Sequence, residues 1–487
     1  MSIRLMPPAP GEEISDLYEV TVNGQPLPLH CCWVSAVPFN RRWPGHQRQK
    51  EQREAAAFAL LAADEPLHFV IRPKRPFEAV TVRPLSLGIQ PQVTDGAIAF
   101  TLEKPAFCTV EPDGMHGALH LFADPLPDYD VDPADPAVLY YGSGLHEADC
   151  IELHSGQTLF LDAGATVYGT VHAQDAENIR ILGRGILDAS HNVEKILYEA
   201  NKTTGKALDN AVRTHTIQLD HCRNIEIDGI TIRDSLVYNI RPIGCHDMTI
   251  RHVKTIGNWR YNSDGFDMHN CCSVQISDCF LRCYDDCICA KGWDRQTEMR
   301  PDSDHFDGLT VERCVLWNDW GRGLEIGAET RGREMCNILW KDCDIIHGAH
   351  IFLDVQNVDD ADIHDITFDN IRCECDGPIP VPALQWSDDE VYDPHYEQGY
   401  LPTLFTSIVY RHDEYSQTDE RGHNRRITLH NIFVTGPAVP PMCIEGFDAE
   451  HPSEDITIDG IYLNGVRQLP ESLVPQTNEF VRDLRIL

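Results

Sequence analysis

A short phrase, apolar-x-apolar-x-x-apolar, recurs along this chain and leaves few folds open. It reads NIRILGRGIL, NIEIDGITI, DMTIRHVKTI, SVQISDCFL, GLTVERCVL, NILWKDCDII, DITFDNIRC, RITLHNIFV and DITIDGIYL. Its second residue falls at Ile179, Ile225, Met248, Val274, Leu309, Ile338, Ile366, Ile427 and Ile456. Most steps are 23 to 35 residues, and the two longer ones leave room for a skipped coil or an insertion. A repeat of this period is the signature of a solenoid. Strand-like phrases without helical periodicity between them predict a parallel β-helix, with coils stacked at roughly 4.8 Å.

Residues 1–122 read differently. Short strands such as YEVTV, LHFVIRP, AVTVRP and AIAFTL are separated by turn residues, which predicts a small β-sandwich. The stretch QKEQREAAAFALLAAD, residues 49–64, has the composition of a helix. Just before it, FNRRWPGHQR carries Trp43, His46 and Arg48 in a loop. Residues 123–136, rich in Pro and Asp, read as a linker, and residues 137–487 as the solenoid, with an insertion at 377–424.

Net charge is −36, which disfavours nucleic acid and anionic membranes as partners. No apolar run approaches the length of a membrane helix, and the first residues carry no export signal, so a cytoplasmic location is expected. The 18 cysteines include Cys271, Cys272, Cys279, Cys283, Cys287 and Cys289 in strand-like runs, where reduced thiols pack as small apolar groups. No spacing suggests a metal site. The oligomeric state is not encoded legibly, and a homo-oligomer is allowed.

The chemistry concentrates in NSDGFDMHNCCSVQISDCFLRCYDDCICAKGW, residues 262–293. Asp264 and Asp285 are 21 residues apart, about one coil, so Asp264, Asp285 and Asp286 are expected to cluster on one face. Crowded carboxylates cannot all ionise, so one should keep its proton near neutrality. Glycoside hydrolysis needs that division between a carboxylic acid and a carboxylate.

Here the motifs resemble glycoside hydrolase family 28, the polygalacturonase family, and its clan neighbour family 49, the dextranases. NSDGFD is similar to the family's NTDGxD, YDDCICAKG to its DDCIAIKSG, and NDWGRGLEIGAET to its GHG motif and the run that follows. The resemblance covers roughly residues 137–470 and implies a right-handed parallel β-helix with inverting hydrolysis that uses no cofactor. It implies Asp285 as general acid, Asp264 and Asp286 as the pair that activates water, and Asp267 and Lys291 near the cleft. The chain departs from the family at Arg322, where His is common, and at His350 and Phe352, where the family's basic motif is expected. That departure moves the expected substrate from galacturonate toward a neutral or mixed sugar, although Arg241 could supply a replacement cation. Glu325 and Glu329 read either as sugar ligands or as rim charges.

The insertion carries Trp386, Tyr392, Tyr396, Tyr400, Tyr410 and Tyr415, which could wall a sugar subsite or pack on themselves. A wall at one end of a cleft favours exo action on plant- or microbe-derived oligosaccharides. Two alternatives stay open: a β-helix polysaccharide lyase, and a non-catalytic carbohydrate-binding β-helix.

Overall fold

The computed structural model describes residues 2–41, 48–192, 215–293, 299–377, 379–387, 389–393, 399–413 and 415–487. Trp43, His46 and Tyr396 lie outside the described residues. From Val138–Tyr141 to Arg485–Ile486 the chain forms a parallel β-helix whose strands pair from coil to coil. The recurring phrase is its ladder. Ile179 pairs with Ile225, Ile225 with Met248, Met248 with Val274, and Val274 with Leu309. The stack continues through Ile338, Ile366, Ile427 and Ile456. All of these side chains are buried in one core. Because Ile179 pairs directly with Ile225, and Ile366 with Ile427, both long steps are insertions rather than skipped coils.

The phrase is bounded by a backbone feature as regular as its apolar positions. Its first residue is left-handed in every coil: Asn178, Asn224, Asp247, Ser273, Gly308, Asn337, Asp365, Arg426 and Asp455 all have φ between 51° and 80°. The sixth residue is left-handed too, at Gly183, Gly229, His252, Asp278, Arg313, Asp342, Asn370, Asn431 and Gly460. Asn, Asp and Gly tolerate this region best, which explains most of these identities. Each left-handed residue bends the chain at the same place in every coil, and the strands Asp362–Glu374, His423–Thr435 and Ser453–Leu463 run on through both bends. The Asn224 amide also donates to Asn178 Oδ1 one coil below, at 2.6 Å.

The N-terminal residues form a six-stranded sheet facing a five-stranded one. Between them lies a core that includes Val20, Phe69, Ile71, Ile98, Val110 and Leu121. The expected helix at 49–64 is instead a short 3₁₀ turn, Lys50–Gln52, followed by the strand Arg53–Ala63. Ala57, Ala59 and Leu61 point into the sandwich core. Ala56, Phe58, Leu60 and Ala62 point the other way, onto solenoid residues Ile256, Phe280, Val315 and Trp317. A strand buried on both faces reads as a continuous apolar run, and here tertiary packing overrides the helix propensity of alanine.

The expected linker is also partly structured. Strand Leu119–Pro125 runs into it, and buried Asp124 accepts from Lys254 Nζ of the solenoid at 2.9 Å. The expected loop insertion contains a solenoid strand, Thr403–Val409, which pairs with Ile351–Asn357. It also contains Ala383–Gln385, which pairs in parallel with Phe39–Arg41 of the N-terminal domain. Among the described residues no helix is long and apolar enough to cross a membrane.

Replacing Asn224 by Val puts a β-branched residue at φ 52° and removes the amide bridge. Denaturant unfolding should read a loss of about 1–2 kcal/mol; unchanged stability would contradict the ladder account.

Candidate active site

The strands Phe266–His269, Ile288–Lys291, Arg322–Ile326 and Ile351–Asn357 stack in register, with Phe266 on Ile288, Ile288 on Leu324, and Leu324 on Leu353. The turns leading into them carry the site. The Gly265 amide donates to Asp286 O, and the Cys287 amide to Arg322 O, both at 2.8 Å. These bonds place Asp264, Asp286 and Arg322 at successive levels of the solenoid. Two asparagines fix the turns. Asn239 Nδ2 donates to Asp264 O at 2.6 Å, and Asn318 Nδ2 donates to Asp285 O at 2.6 Å and to Arg322 O at 3.1 Å. Sequence reasoning missed both, although each sits at a strand boundary one coil from a motif residue.

The result is a cleft of about 200 Å³ lined by Asp264, Asp285, Asp286, Lys291, Arg322, Glu325, Glu329 and His350. Tyr238, Tyr261, Trp320, His412 and Tyr415 add ring faces, and Asn40 and Leu384 come from the paired N-terminal and insertion strands. The N-terminal domain therefore forms part of the wall. Arg48, expected only in a nearby loop, supports it from behind: its Nε donates to Phe39 O, and its guanidinium lies 3.8 Å over the Tyr284 ring, beside Asp285.

The other expected site residues divide. Asp267 is fully buried beneath the cleft and ion-paired with Lys291 Nζ at 3.1 Å. Arg241 is buried against His215 and does not line the cleft. Trp386 is 63% exposed and lies off the lining. Tyr400 and Tyr410 donate their hydroxyls to Ala349 O and Gln356 Oε1, so much of the insertion packs on the solenoid while Tyr415 reaches the cleft. Glu325 is no rim charge: it is 1% exposed and accepts from Gln356 Nε2 at 2.8 Å. Phe352 belongs to the solenoid core.

Charge is distributed unequally over the carboxyls. Arg322 donates its backbone N–H to Asp286 Oδ1 at 2.8 Å, while its guanidinium reaches Asp286, Glu325 and Asp354. Burial alone would raise the Asp286 carboxyl, but Arg322 and Lys291 outweigh it and hold it below the usual range. Asp285, adjacent in sequence, is pushed up to about 8, first by burial and then by the charge of Asp286. Asp264 is raised well above its ordinary value by burial and by Asp267, Asp285 and Asp286. Its Oδ1 is buried and has no hydrogen-bond partner among the described residues. These surroundings favour the proton on Asp285 and the charge on Asp286.

Gly321 makes this closeness feasible. A Cβ there would sit 2.3 Å from Asp286 Oδ1 and 2.6 Å from Asp285 Oδ1. Asp286, Cys289 and Glu325 offer ligand atoms within 4.8 Å of one another and could hold a metal ion, as could Glu334, Cys336 and His364. The guanidinium of Arg322 already serves as counter-cation to Asp286 and Glu325 of the first group.

Comparison with known proteins places the chain beside glycoside hydrolases. The family description "Glycosyl hydrolases family 28" matches residues 161–379. A probable polygalacturonase from Vitis vinifera is 30% identical over 84 residues, 17% of each chain. An exopolygalacturonase from Zea mays is 27% identical over 207 residues, 41% of this chain and 46% of the relative. The matched stretches thus span less than half of either relative. Dex49A from Penicillium minioluteum superposes with a TM-score of 0.59 at 14% identity, covering 92% of this chain and 91% of that one, which places the two in one fold.

Two outcomes follow. Gly321→Ala forces a methyl against two carboxylates and should cost about 1–3 kcal/mol in denaturant unfolding, whereas no loss would contradict the close approach. The raised Asp285 binds its proton more tightly folded than unfolded, so its contribution to stability is complete below the unfolded pKa of about 4 and is lost as pH rises through about 8. Unfolding measured across that window should show a shallower decline in Asp285→Asn than in wild type; parallel profiles would contradict the assignment.

Proposed function

We propose that this chain, family 28-like over residues 161–379, is a glycoside hydrolase acting on pectic-type or neutral oligosaccharides by a single, inverting displacement. The observation that carries the reading is the convergence of Asp264, Asp285 and Asp286 in one cleft, with Arg322 paired to Asp286. Asp285 donates its proton to the departing glycosidic oxygen. Asp286, kept ionised by Arg322, takes a proton from the water that attacks the anomeric carbon. Asp264, one coil below, lines the same cleft and holds that water or a sugar hydroxyl. Bond cleavage leaves Asp285 ionised and Asp286 protonated, and exchange with solvent restores both. The resting charge of the Asp264–Asp286 pair thus sits on Asp286, which narrows the shared base role that the family resemblance implies.

The names of the Vitis vinifera and Zea mays relatives support a pectic glycosidase. Exo action is supported by the wall of Asn40 and Leu384 beside the catalytic turns. The lyase alternative needs a base near a uronate. Lys291 is a poor one: burial favours its neutral form, but Glu329 and Asp267 outweigh burial and hold it charged. A cytoplasmic site fits the free, mostly buried thiols, with Cys245 and Cys271 among those stacked in the solenoid core.

The test is hydrolysis of pectic, rhamnogalacturonan, α-glucan and α-galactoside panels, with products separated chromatographically. Wild type should release a single sugar from one class, and Asp285→Asn should be slower by about 10²–10⁴-fold. The alkaline limb of the wild-type pH profile, near 8, should be missing from the variant. Equal rates in the two proteins would remove Asp285 as the acid.

A further inference from the structure

Every described cation at this cleft is already committed to a carboxylate of the protein. Lys291 Nζ lies 3.1 Å from Asp267 Oδ1 and 3.3 Å from Glu329 Oε2. Arg322 Nε lies 3.0 Å from Asp354 Oδ2 and 3.5 Å from Glu325 Oε1, and its Nη1 lies 3.5 Å from Asp286 Oδ1. Of the histidines lining the cleft, His350 adds no cation. His412 Nδ1 accepts the Tyr415 backbone N–H at 3.3 Å. Burial, reinforced by Arg322, keeps the His350 imidazole neutral, with its pKa at about 4. Five carboxyl side chains line the same space: Asp264, Asp285, Asp286, Glu325 and Glu329.

A uronate placed here would give up its hydration and face Asp286, with both cleft cations among the described residues, Lys291 and Arg322, already paired. Uncompensated burial of charge beside a like charge is strongly unfavourable. A neutral sugar meets the opposite situation. Its hydroxyls donate to carboxylate oxygens, and its apolar face has the rings of Trp320 and Tyr415 to rest on.

We infer that the subsite at Asp264, Asp285 and Asp286 takes an uncharged sugar residue and rejects a uronate. This rests on the glycosidase reading but selects within it, since the chains bearing that sugar can still be pectic. The charge balance extends one layer below the cleft. Asp267 and Asp354 are both fully buried and act as the inner counter-ions of Lys291 and Arg322. Releasing a cation for a uronate would therefore require removing a protein carboxylate.

The full-length protein at pH 7 and low salt is titrated, by ligand-observed NMR, with galactose against galacturonate and with glucose against glucuronate. The neutral member of at least one pair should bind fivefold or more tightly than its uronate. A uronate that matches or exceeds its neutral partner, or failure of both neutral sugars to bind, overturns the inference. A second arm uses Glu329→Gln, which leaves Lys291 with one carboxylate fewer. The uronate-to-neutral affinity ratio should rise several-fold in this variant, and an unchanged ratio counts against the charge argument. Hydrolysis by the same preparation separates the two claims. Tight uronate binding by a protein that still releases sugar overturns this inference alone, whereas neutral-sugar binding without hydrolysis of any chain overturns the glycosidase reading and leaves this one standing.

Discussion

Coil-to-coil register is the constraint on which the rest of this molecule depends. A strand slipped by one residue would turn its apolar face outward. It would also separate Asp264, Asp286 and Arg322, which meet only because Phe266, Ile288 and Leu324 are stacked. The register is held from two directions. Buried side chains such as Ile225, Met248 and Val274 fill one continuous core. Left-handed residues at the same two positions of each phrase bend successive coils alike. A rigid stack of this kind can hold like charges together, because the backbone has no low-cost way to spread them apart.

Those charges are then sorted by depth and by counter-ion rather than neutralised in bulk. Arg322 and Lys291 each bridge several carboxylates, and Arg322 favours Asp286 over its neighbour Asp285 through a backbone and a side-chain contact. The difference between adjacent aspartates is a consequence of that asymmetry. Gly321 supplies the space for it, since any side chain there would strike both carboxylates. The N-terminal domain contributes in two ways. Its strand Arg53–Ala63 packs on the solenoid core, and its strand Phe39–Arg41 joins the insertion to wall the cleft.

Much of this was legible in the residues. The repeat named the ladder residue by residue, and the 21-residue step brought Asp264 to the DD pair. The features that were not legible depend on contacts far apart in sequence. REAAAFALLAA reads as a helix until its second face is known to meet Phe280 and Trp317. Asn40 reaches the cleft only because Leu384, far along the chain, pairs with it. Arg241 and Trp386 have suitable chemistry, but one is buried against His215 and the other is turned to solvent. Glu325 read equally as a sugar ligand or a rim charge, because sequence alone does not report depth.

The proposed chemistry of the site turns on Asp285 keeping its proton while Asp286 does not. Difference infrared spectroscopy at pH 7 reads this directly from the carbonyl stretch of protonated carboxyl groups. Asp285→Asn should remove one such band from the wild-type spectrum, and Asp286→Asn should remove an ionised carboxylate signal instead. Loss of the protonated band in Asp286→Asn, with Asp285→Asn unchanged, would contradict the division of roles on which the site is built.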